Sequence, residues 1–206
     1  MEFADVVFLA VKPQFLEEVL DEIKDNVKEG QIFISIAPGK TLQWLGEHLG
    51  EGTKIIRTMP NTPAMVGEGM TALCVNDLVT EEETALAVKL CNTFGKSEVI
   101  PEHLMDAVVG VSGSSTAYVF MFLEAMADAA VADGMPRAQA YKFAAQAVLG
   151  SAKLMLETGK HPGELKDMVC SPAGTTIQAV RVLEEKGLRS AVIEAQLECV
   201  KKAKGM

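Results

Sequence analysis

The first hundred residues alternate between short apolar runs and stretches with helical spacing, and this alternation restricts the chain to few folds. The apolar runs span residues 5–11, 32–36 and 54–58. Runs that are apolar on both faces are typical of parallel strands buried between helices. Apolar residues at helical spacing fill residues 15–27 and 42–49, and Thr41 is the expected N-cap of the second stretch. The pattern therefore predicts a βαβαβ unit with right-handed crossovers.

Beyond this unit the pattern predicts one more helix between two more strands. The strands are expected over residues 70–75 and 97–100. The helix between them begins with Thr80 and Glu83, which have the spacing of a capping box. Gly67 to Ala72 matches the G-x-G-x-x-A spacing of a dinucleotide-binding turn, but such a turn must follow a strand and open a helix. Because this match precedes a predicted strand, we interpret it as an ordinary turn.

The composition of the chain changes near Glu102, after which every pattern is helical. A helix over residues 103–111 begins the series. The next, over residues 115–133, is apolar on nearly all sides, and such a helix is buried, often between subunits. We therefore expect an α/β domain with a parallel sheet over residues 1–101 and an all-helical domain over residues 102–206.

Composition and charge exclude several classes of protein. Hydrophobic residues make up 49% of the 206 residues, which allows a sizeable core. The net charge of −9 argues against nucleic acid and against an anionic membrane as a general partner. The four cysteines lack C-x-x-C spacing and the three histidines are scattered, so we expect no metal site and a reduced, cytoplasmic protein. No signal peptide is expected, and Glu124 and Asp128 in the most apolar helix argue against a membrane span.

The segment from Ser171 to Thr176 reads Ser-Pro-Ala-Gly-Thr-Thr and precedes a helical pattern. Free backbone N–H groups at a helix start, with two hydroxyls beside them, suit a small carboxylate. Gly174 would let a ligand approach the backbone closely. An ordinary helix start is an equal alternative, because Thr175 and Gln178 also have the spacing of a capping box.

Three of the predicted strands end in loops of small residues, glycine and proline. The loops are Ala10–Pro13, Ser35–Gly39 and Met59–Pro63. Open α/β sheets bind ligands at the carboxyl ends of their strands, so the three loops together predict one edge of a cofactor site. Loops of this composition are also common as plain connections, which is the alternative for any one of them.

Four dense segments resemble the pyrroline-5-carboxylate reductase family. They are ADVVFLAVKPQ from Ala4, MPNTP from Met59, GSSTAYVFMFLEAMADAAVADGMPR from Gly113 and HPGELKDMVCSPAGTTI from His161. The match extends over the whole chain and is highly specific. By this resemblance the chain lacks about the first 60 residues of the family, or two βα units, and has only part of a Rossmann-like domain.

The resemblance implies a reaction and the residues that serve it. The reaction is hydride transfer from NADPH or NADH to the C=N carbon of 1-pyrroline-5-carboxylate, which gives L-proline. Thr176 would hydrogen-bond the ring nitrogen as the catalytic residue, in a positioning role, and N–H groups of Gly174 and Thr175 would hold the carboxylate. The implied substrate-binding residues are Ser171, Gly174, Thr175 and Thr176. The implied cofactor-binding residues are Ala10, Val11, Lys12, Pro13, Ile36, Ala37, Pro38 and Asn61.

The resemblance further implies a homodimer built on the helix from Ser115, and rings of dimers are known in the family. Ala173 stands where the family usually has glycine, so a positive φ there would strain the turn. The glycine-rich phosphate-binding turn would lie in the lacking part. We therefore expect these residues alone to bind NADPH weakly or not at all, and to expose a sheet edge near residues 6–11. An alternative is a catalytically impaired fragment that acts as a helical dimer or as one half of a split reductase.

Overall fold

The computed structural model describes residues 3–205 and divides them into two compact units. The first, called the sheet unit, runs through Thr116 and takes in the chain again from Gln196 onward. The second, called the helical unit, is Ala117–Ala195. The boundary predicted between residues 101 and 102 coincides with the point after which all elements are helical. The two compact units instead meet in the chain at residues 116–117 and 195–196.

Five strands form the sheet, in the spatial order β1-β2-β3-β4-β5. They are β1 Val6–Leu9, β2 Ile32–Ser35, β3 Lys54–Met59, β4 Gly69–Val75 and β5 Gly95–Val99. The first three are parallel, as the βαβαβ pattern predicted. β4 is antiparallel to β3, and β5 is parallel to β4, so the sheet is mixed. The predicted α/β fold is confirmed, and the direction of β4 is its one departure from a parallel sheet among the described strands.

The reversal of strand direction comes from the connection between β3 and β4. This connection holds a 3-10 turn, Thr62–Val66, followed by Gly67 at a φ of 77°. It is too short for the crossover that parallel neighbours require, so the chain returns antiparallel. β4 then begins at Gly69, which confirms that the G-x-G-x-x-A match is an ordinary turn.

Helices cover both faces of the sheet. They are α1 Pro13–Ile23, continued by a 3-10 turn Lys24–Asn26, then α2 Leu42–Leu49 and α3 Glu81–Cys91. On one face, Leu16 of α1 and Leu45 of α2 pack in a cluster with Phe33. On the other face, Ala87 of α3 packs in a cluster with Ile34. Because neighbouring residues of a strand point to opposite faces, β2 is buried on both sides, as its apolar run predicted.

Two predicted helix starts are confirmed. At the start of α2 the Thr41 hydroxyl accepts a hydrogen bond from Trp44 N at 3.0 Å. At the start of α3 the capping box is complete. Glu83 N donates to Thr80 Oγ1 at 3.3 Å, and Thr80 N donates to Glu83 Oε2 at 2.9 Å.

β1 lies at one edge of the sheet in the part of the chain that the structure describes. Its neighbour is β2, and Phe8 on β1 is exposed. The predicted exposure of an edge near residues 6–11 is therefore confirmed.

The chain becomes helical at Glu102, but the elements follow one another without a break. They are a 3-10 turn Glu102–Leu104, α4 Met105–Val108, a π-helix Val109–Ser114 and α5 Ser115–Ala132. The separate helix predicted over residues 103–111 is thus the start of a longer helical run that contains a π-helical turn. Turns of this kind are rare and are frequently found at functional sites.

The segment Glu102–Ala132 is long and apolar enough to cross a membrane, with a mean hydropathy of 1.3. Glu124 and Asp128 within it therefore do not exclude a span on length and composition, contrary to the expectation from the sequence. A single helix with these properties also occurs in soluble proteins, where its apolar surface packs against other protein.

The remaining predicted helices lie in the helical unit, except that the last of them continues past Ala195. They are α6 Arg137–Thr158, α7 Pro162–Val169, α8 Thr175–Glu185 and α9 Leu188–Ala203. Within the described chain α5 buries only Ala127, although its sequence predicted a buried helix. On α6, Phe143 is 68% exposed. An apolar surface of this extent marks an interaction site for other protein.

Candidate functional site

The end of β1 leads directly into α1 through Ala10, Val11 and Lys12. Pro13 occupies the first position of the helix, and Phe15 N donates to Lys12 O at 2.9 Å. Proline suits this position because its lacking N–H would have no partner inside the helix. The side chains of Ala10 and Lys12 are exposed, so this strand end presents a small side chain and a positive charge to solvent.

The end of β2 lies beside the end of β1. Ile36 N donates to Leu9 O at 3.2 Å, which continues the pairing of the two strands. Ser35 fixes the turn, since its Oγ accepts from Ala37 N at 3.3 Å and its carbonyl accepts from Thr58 Oγ1 at 3.0 Å. Ala37 is buried in the core and can offer a ligand only its backbone, whereas Pro38 is exposed. The structure thus brings together residues 10–13 and 36–38, which we call the rim.

Asn61 follows β3, the neighbour of β2, and its side chain amide contacts protein on both sides. Its Oδ1 accepts from Met70 N at 2.9 Å, and its Nδ2 donates to Ser112 O at 3.1 Å. The residue is partly buried. Its predicted place near the cofactor site stays a prediction, but both ends of its amide already have a protein partner.

In the helical unit, the segment from Ser171 to Gly174 is a tight turn. Gly174 N donates to Ser171 O at 3.0 Å, so this N–H group is already engaged and is not free to hold a carboxylate. A Cβ on Gly174 would lie 2.4 Å from Ser171 Oγ and 3.1 Å from Ser171 O. A side chain at this position would therefore crowd Ser171, whose hydroxyl and carbonyl would have to shift. Ala173 beside it has a φ of 58°, which confirms the positive φ on which the predicted strain depends.

The turn delivers the chain to the start of α8. Gly174 is the N-cap, and no side chain caps the helix, so the capping box predicted from Thr175 and Gln178 does not form. The N–H groups in the first turn of a helix have no partner inside it and carry its positive end. Thr176 is partly buried and Thr175 is exposed. This helix start can bind a small carboxylate, with a hydroxyl beside it for a second polar atom of the ligand.

Residues 3–205 contain no group of three or more histidine, cysteine, aspartate or glutamate side chains that could hold a metal ion. The polar groups at the rim and at the start of α8 are instead backbone amides, hydroxyls and one lysine. These groups suit an organic anion.

Comparison with known proteins places the chain in a family. Residues 102–206 match the family described as pyrroline-5-carboxylate reductase dimerisation, and residues 1–39 match NADP oxidoreductase, coenzyme F420-dependent. The pyrroline-5-carboxylate reductase of Escherichia coli strain K12 is 61% identical over 202 residues, which cover 98% of this chain and 75% of that protein. The chain belongs to the pyrroline-5-carboxylate reductase family.

Solved pyrroline-5-carboxylate reductases share the fold. The enzyme from Coxiella burnetii superposes with a TM-score of 0.92 at 38% identity, covering 98% of this chain and 76% of that one. The pyrroline carboxylate reductase of Plasmodium falciparum, solved with NADP bound, superposes with a TM-score of 0.91 at 32% identity, covering 98% and 77%. The α/β sheet followed by helices is therefore the reductase fold, and the exposed apolar helices lie in the region of the dimerisation match.

Arg57, which no sequence motif singled out, is a buried charge on β3, the middle strand of the described sheet. Its Nη1 lies 3.0 Å from Glu102 Oε1, and the same oxygen accepts from Leu42 N at 2.7 Å. Glu102 thereby ties the start of the helical run to β3 and α2. Burial raises the pKa of the neighbouring Cys74 thiol to about 12, so this thiol stays protonated and inert at neutral pH. The signal for the ion pair was a charged residue inside an apolar strand.

Proposed function

We propose that this chain reduces 1-pyrroline-5-carboxylate to L-proline with NADPH or NADH. The observation that carries the proposal is the uncapped start of α8, where the turn closed by Gly174 leaves amide N–H groups open beside the Thr176 hydroxyl. It stands in a chain that is 61% identical to the pyrroline-5-carboxylate reductase of Escherichia coli.

On the substrate side, the helix start binds and orients the ring. The N–H groups of Thr175 and Thr176 hold the carboxylate, and the positive end of α8 favours its charge. The Thr176 hydroxyl hydrogen-bonds the ring nitrogen. A threonine hydroxyl is a poor acid, so the proton that the nitrogen gains comes from solvent and Thr176 positions the ring. Ser171 and Gly174 maintain the turn.

On the cofactor side, the rim forms the part of the nicotinamide cofactor site that this chain provides, and Asn61 supports it from the end of β3. The cofactor, when bound, supplies the hydride. Ala10 leaves space at the strand end, and the exposed ammonium of Lys12 favours an anionic ligand. Val11, Pro13, Ile36, Ala37 and Pro38 shape the two strand ends, and Ala37 contributes through its backbone.

We further propose that the chain forms a homodimer through the exposed apolar helices, and that dimers can associate into a ring. The support is the dimerisation match over residues 102–206 together with the exposure of Phe143 and its apolar neighbours. All four cysteines are free, which suits a reducing compartment, so we place the protein in the cytoplasm.

Oxidation of NADPH that depends on pyrroline-5-carboxylate tests the proposed function. Thr176→Ala removes one hydrogen bond to the reacting ring, so we expect kcat/KM to fall by about ten- to a hundredfold. Thr158→Ala is the matched control, because it makes the same change at the end of α6, where the hydroxyl donates to Leu154 O and accepts from Lys160 N, away from the start of α8. Wild-type protein that is folded and dimeric but shows no turnover would contradict the proposal, as would equal losses in the two variants.

A further inference from the structure

Asn61 joins three parts of the sheet unit through a single amide. Its Nδ2 donates to Ser112 O, 51 residues further along the chain, and its Oδ1 accepts from Met70 N. The orientation of the amide is set by chemistry, because a flipped amide would place its NH₂ against the Met70 N–H and its oxygen against the Ser112 carbonyl. The side chain therefore bridges the end of β3, the start of β4 and the π-helix.

The π-helix Val109–Ser114 fits closely against the end of β3. A Cβ on Gly113 would lie 2.9 Å from Met59 Cε, and a Cβ on Gly110 would lie 3.1 Å from Val200 Cγ2. Two hydroxyls hold the wide turn from within: Ser112 Oγ donates to Val108 O at 3.2 Å, and Ser115 Oγ donates to Val111 O at 2.7 Å. Asn61 supplies a hydrogen bond to this turn from outside it.

The end of β3 is connected to the rim by one further hydrogen bond. Thr58, next to Met59, donates its hydroxyl to Ser35 O at 3.0 Å, and Ser35 is the last residue before the loop Ile36–Pro38. The π-helix is thus bonded to Asn61 and lies against Met59 at the end of β3, and Thr58, the chain neighbour of Met59, bonds the last residue before the rim loop. Both polar atoms of the Asn61 amide are hydrogen-bonded to the backbone, Nδ2 to Ser112 O and Oδ1 to Met70 N.

We propose that Asn61 is a positioning residue, which fixes the π-helix against the end of β3 and thereby holds the loop 36–38 in the shape that receives the cofactor. The proposal rests on the proposed function for its cofactor part. The sequence predicted that Asn61 itself contacts the cofactor. In the present proposal Asn61 instead acts on cofactor binding indirectly, through its hydrogen bond to Ser112 O and through the strand ends that hold the loop 36–38.

Asn76 provides a matched control. Its Oδ1 accepts from Ile55 N at 3.2 Å and its Nδ2 donates to Thr53 O at 2.8 Å, so it makes the same two kinds of bond at the opposite end of β3. Asn76→Ala therefore removes an equivalent bridge from the same pair of strands without touching the π-helix or the rim.

The test compares Asn61→Ala, Asn61→Asp and Asn76→Ala by amide hydrogen exchange and by kinetics. Asn61→Asp keeps an oxygen for Met70 N and replaces the donor to Ser112 O, so it breaks only the bond to the π-helix. For both Asn61 variants we expect exchange in residues 109–116 and 36–39 to be about fivefold faster, and KM for NADPH to rise about fivefold with kcat unchanged. Asn76→Ala should leave exchange in both segments and KM for NADPH at their wild-type values.

Unchanged exchange in the Asn61 variants would overturn the proposal, and so would an equal increase in Asn76→Ala. Faster exchange in residues 109–116 without a rise in KM for NADPH would overturn the cofactor part. If wild-type protein does not oxidise NADPH at all, the proposed function fails, but exchange in the two segments still decides whether Asn61 holds the π-helix and the rim.

Discussion

At the scale of single residues, the Ser171–Gly174 turn is crowded at Gly174 and has a strained backbone at Ala173. Ser171 closely approaches Gly174, so a side chain there would be crowded, whereas Ala173 carries a φ of 58° that glycine would adopt more easily. The left-handed conformation costs a non-glycine residue about 1–2 kcal/mol. The strain lies directly before the proposed carboxylate site, so the turn holds its shape against a local preference.

Ala173→Gly should stabilise the protein. Relief of the left-handed strain outweighs the added freedom of glycine in the unfolded chain, which costs about 0.5–1 kcal/mol, so we expect a net gain of up to about 1 kcal/mol. Urea unfolding measures it. Ala179→Gly, inside α8, is the matched control and should lose about 1 kcal/mol. A loss of the same size in Ala173→Gly would contradict the account of the strain.

Residue roles could be predicted from the sequence only where a local backbone rule decided them. The strain at Ala173 follows from one position and its expected φ. The bridge from Asn61 to Ser112 could not be predicted, because it joins residues 51 apart in the chain. It depends on a π-helix for which the sequence pattern gave no sign.

At the scale of elements, the start of α3 shows a helix cap tied to a strand. Glu83 closes the capping box with Thr80, and its other oxygen accepts from Lys54 Nζ on β3 at 2.5 Å. The Lys54 ammonium and the Thr80 N–H hold the pKa of Glu83 below its usual value of 4.5. The unfolded chain therefore binds the proton more readily than the folded one.

The sign of the pH dependence follows from this lowered pKa. The contribution of Glu83 to stability is present above pH 4.5 and is lost as the pH falls through the folded-state pKa. Glu83→Gln keeps the hydrogen-bonding shape of the box but not the charge. We expect it to be less stable than wild type near neutral pH, with the difference vanishing in acid, as measured by urea unfolding across pH. The same pH-dependent difference in Glu81→Gln, two residues earlier at the first position of α3, would contradict this.

The sequence predicted elements well where the signal was local. The apolar runs and the caps at Thr41 and Thr80 were sufficient for β1 to β3, α2 and α3. The Thr-x-x-Gln spacing at Thr175 also fits a capping box but does not form one, because the turn before it places Gly174 in the extended N-cap conformation and Thr175 already inside the helix. The direction of β4 depended on the length and shape of one loop, which hydrophobic periodicity does not report.

At the scale of the whole molecule, the helical unit leaves apolar side chains on its surface in the single chain. Phe143→Asp on α6 should weaken dimerisation, because a charge would be buried in the interface. Phe15→Asp on α1 makes the same change at a residue that is 53% exposed in the sheet unit, outside the dimerisation match, and should leave the dimer intact. Sedimentation at several concentrations distinguishes monomer, dimer and larger ring. Dissociation of both variants, or of neither, would contradict the proposed interface.

Family and fold were predictable from dense local segments, and the predicted homodimer agrees with the dimerisation match, whereas the ring of dimers and the cofactor affinity stay predictions. Titration of the purified chain with NADPH measures the cofactor affinity. The activity should therefore be measured over a wide range of NADPH concentration.

Transfer of a labelled hydride tests the central claim most directly. The purified chain is given 1-pyrroline-5-carboxylate and NADPH that carries deuterium at the transferable position of the nicotinamide. We expect L-proline with one deuterium on C5, formed in an amount equal to the NADPH oxidised. In Thr176→Ala the same product should form at a strongly reduced rate. Folded, dimeric protein that forms no proline, or proline without deuterium at C5, would contradict it.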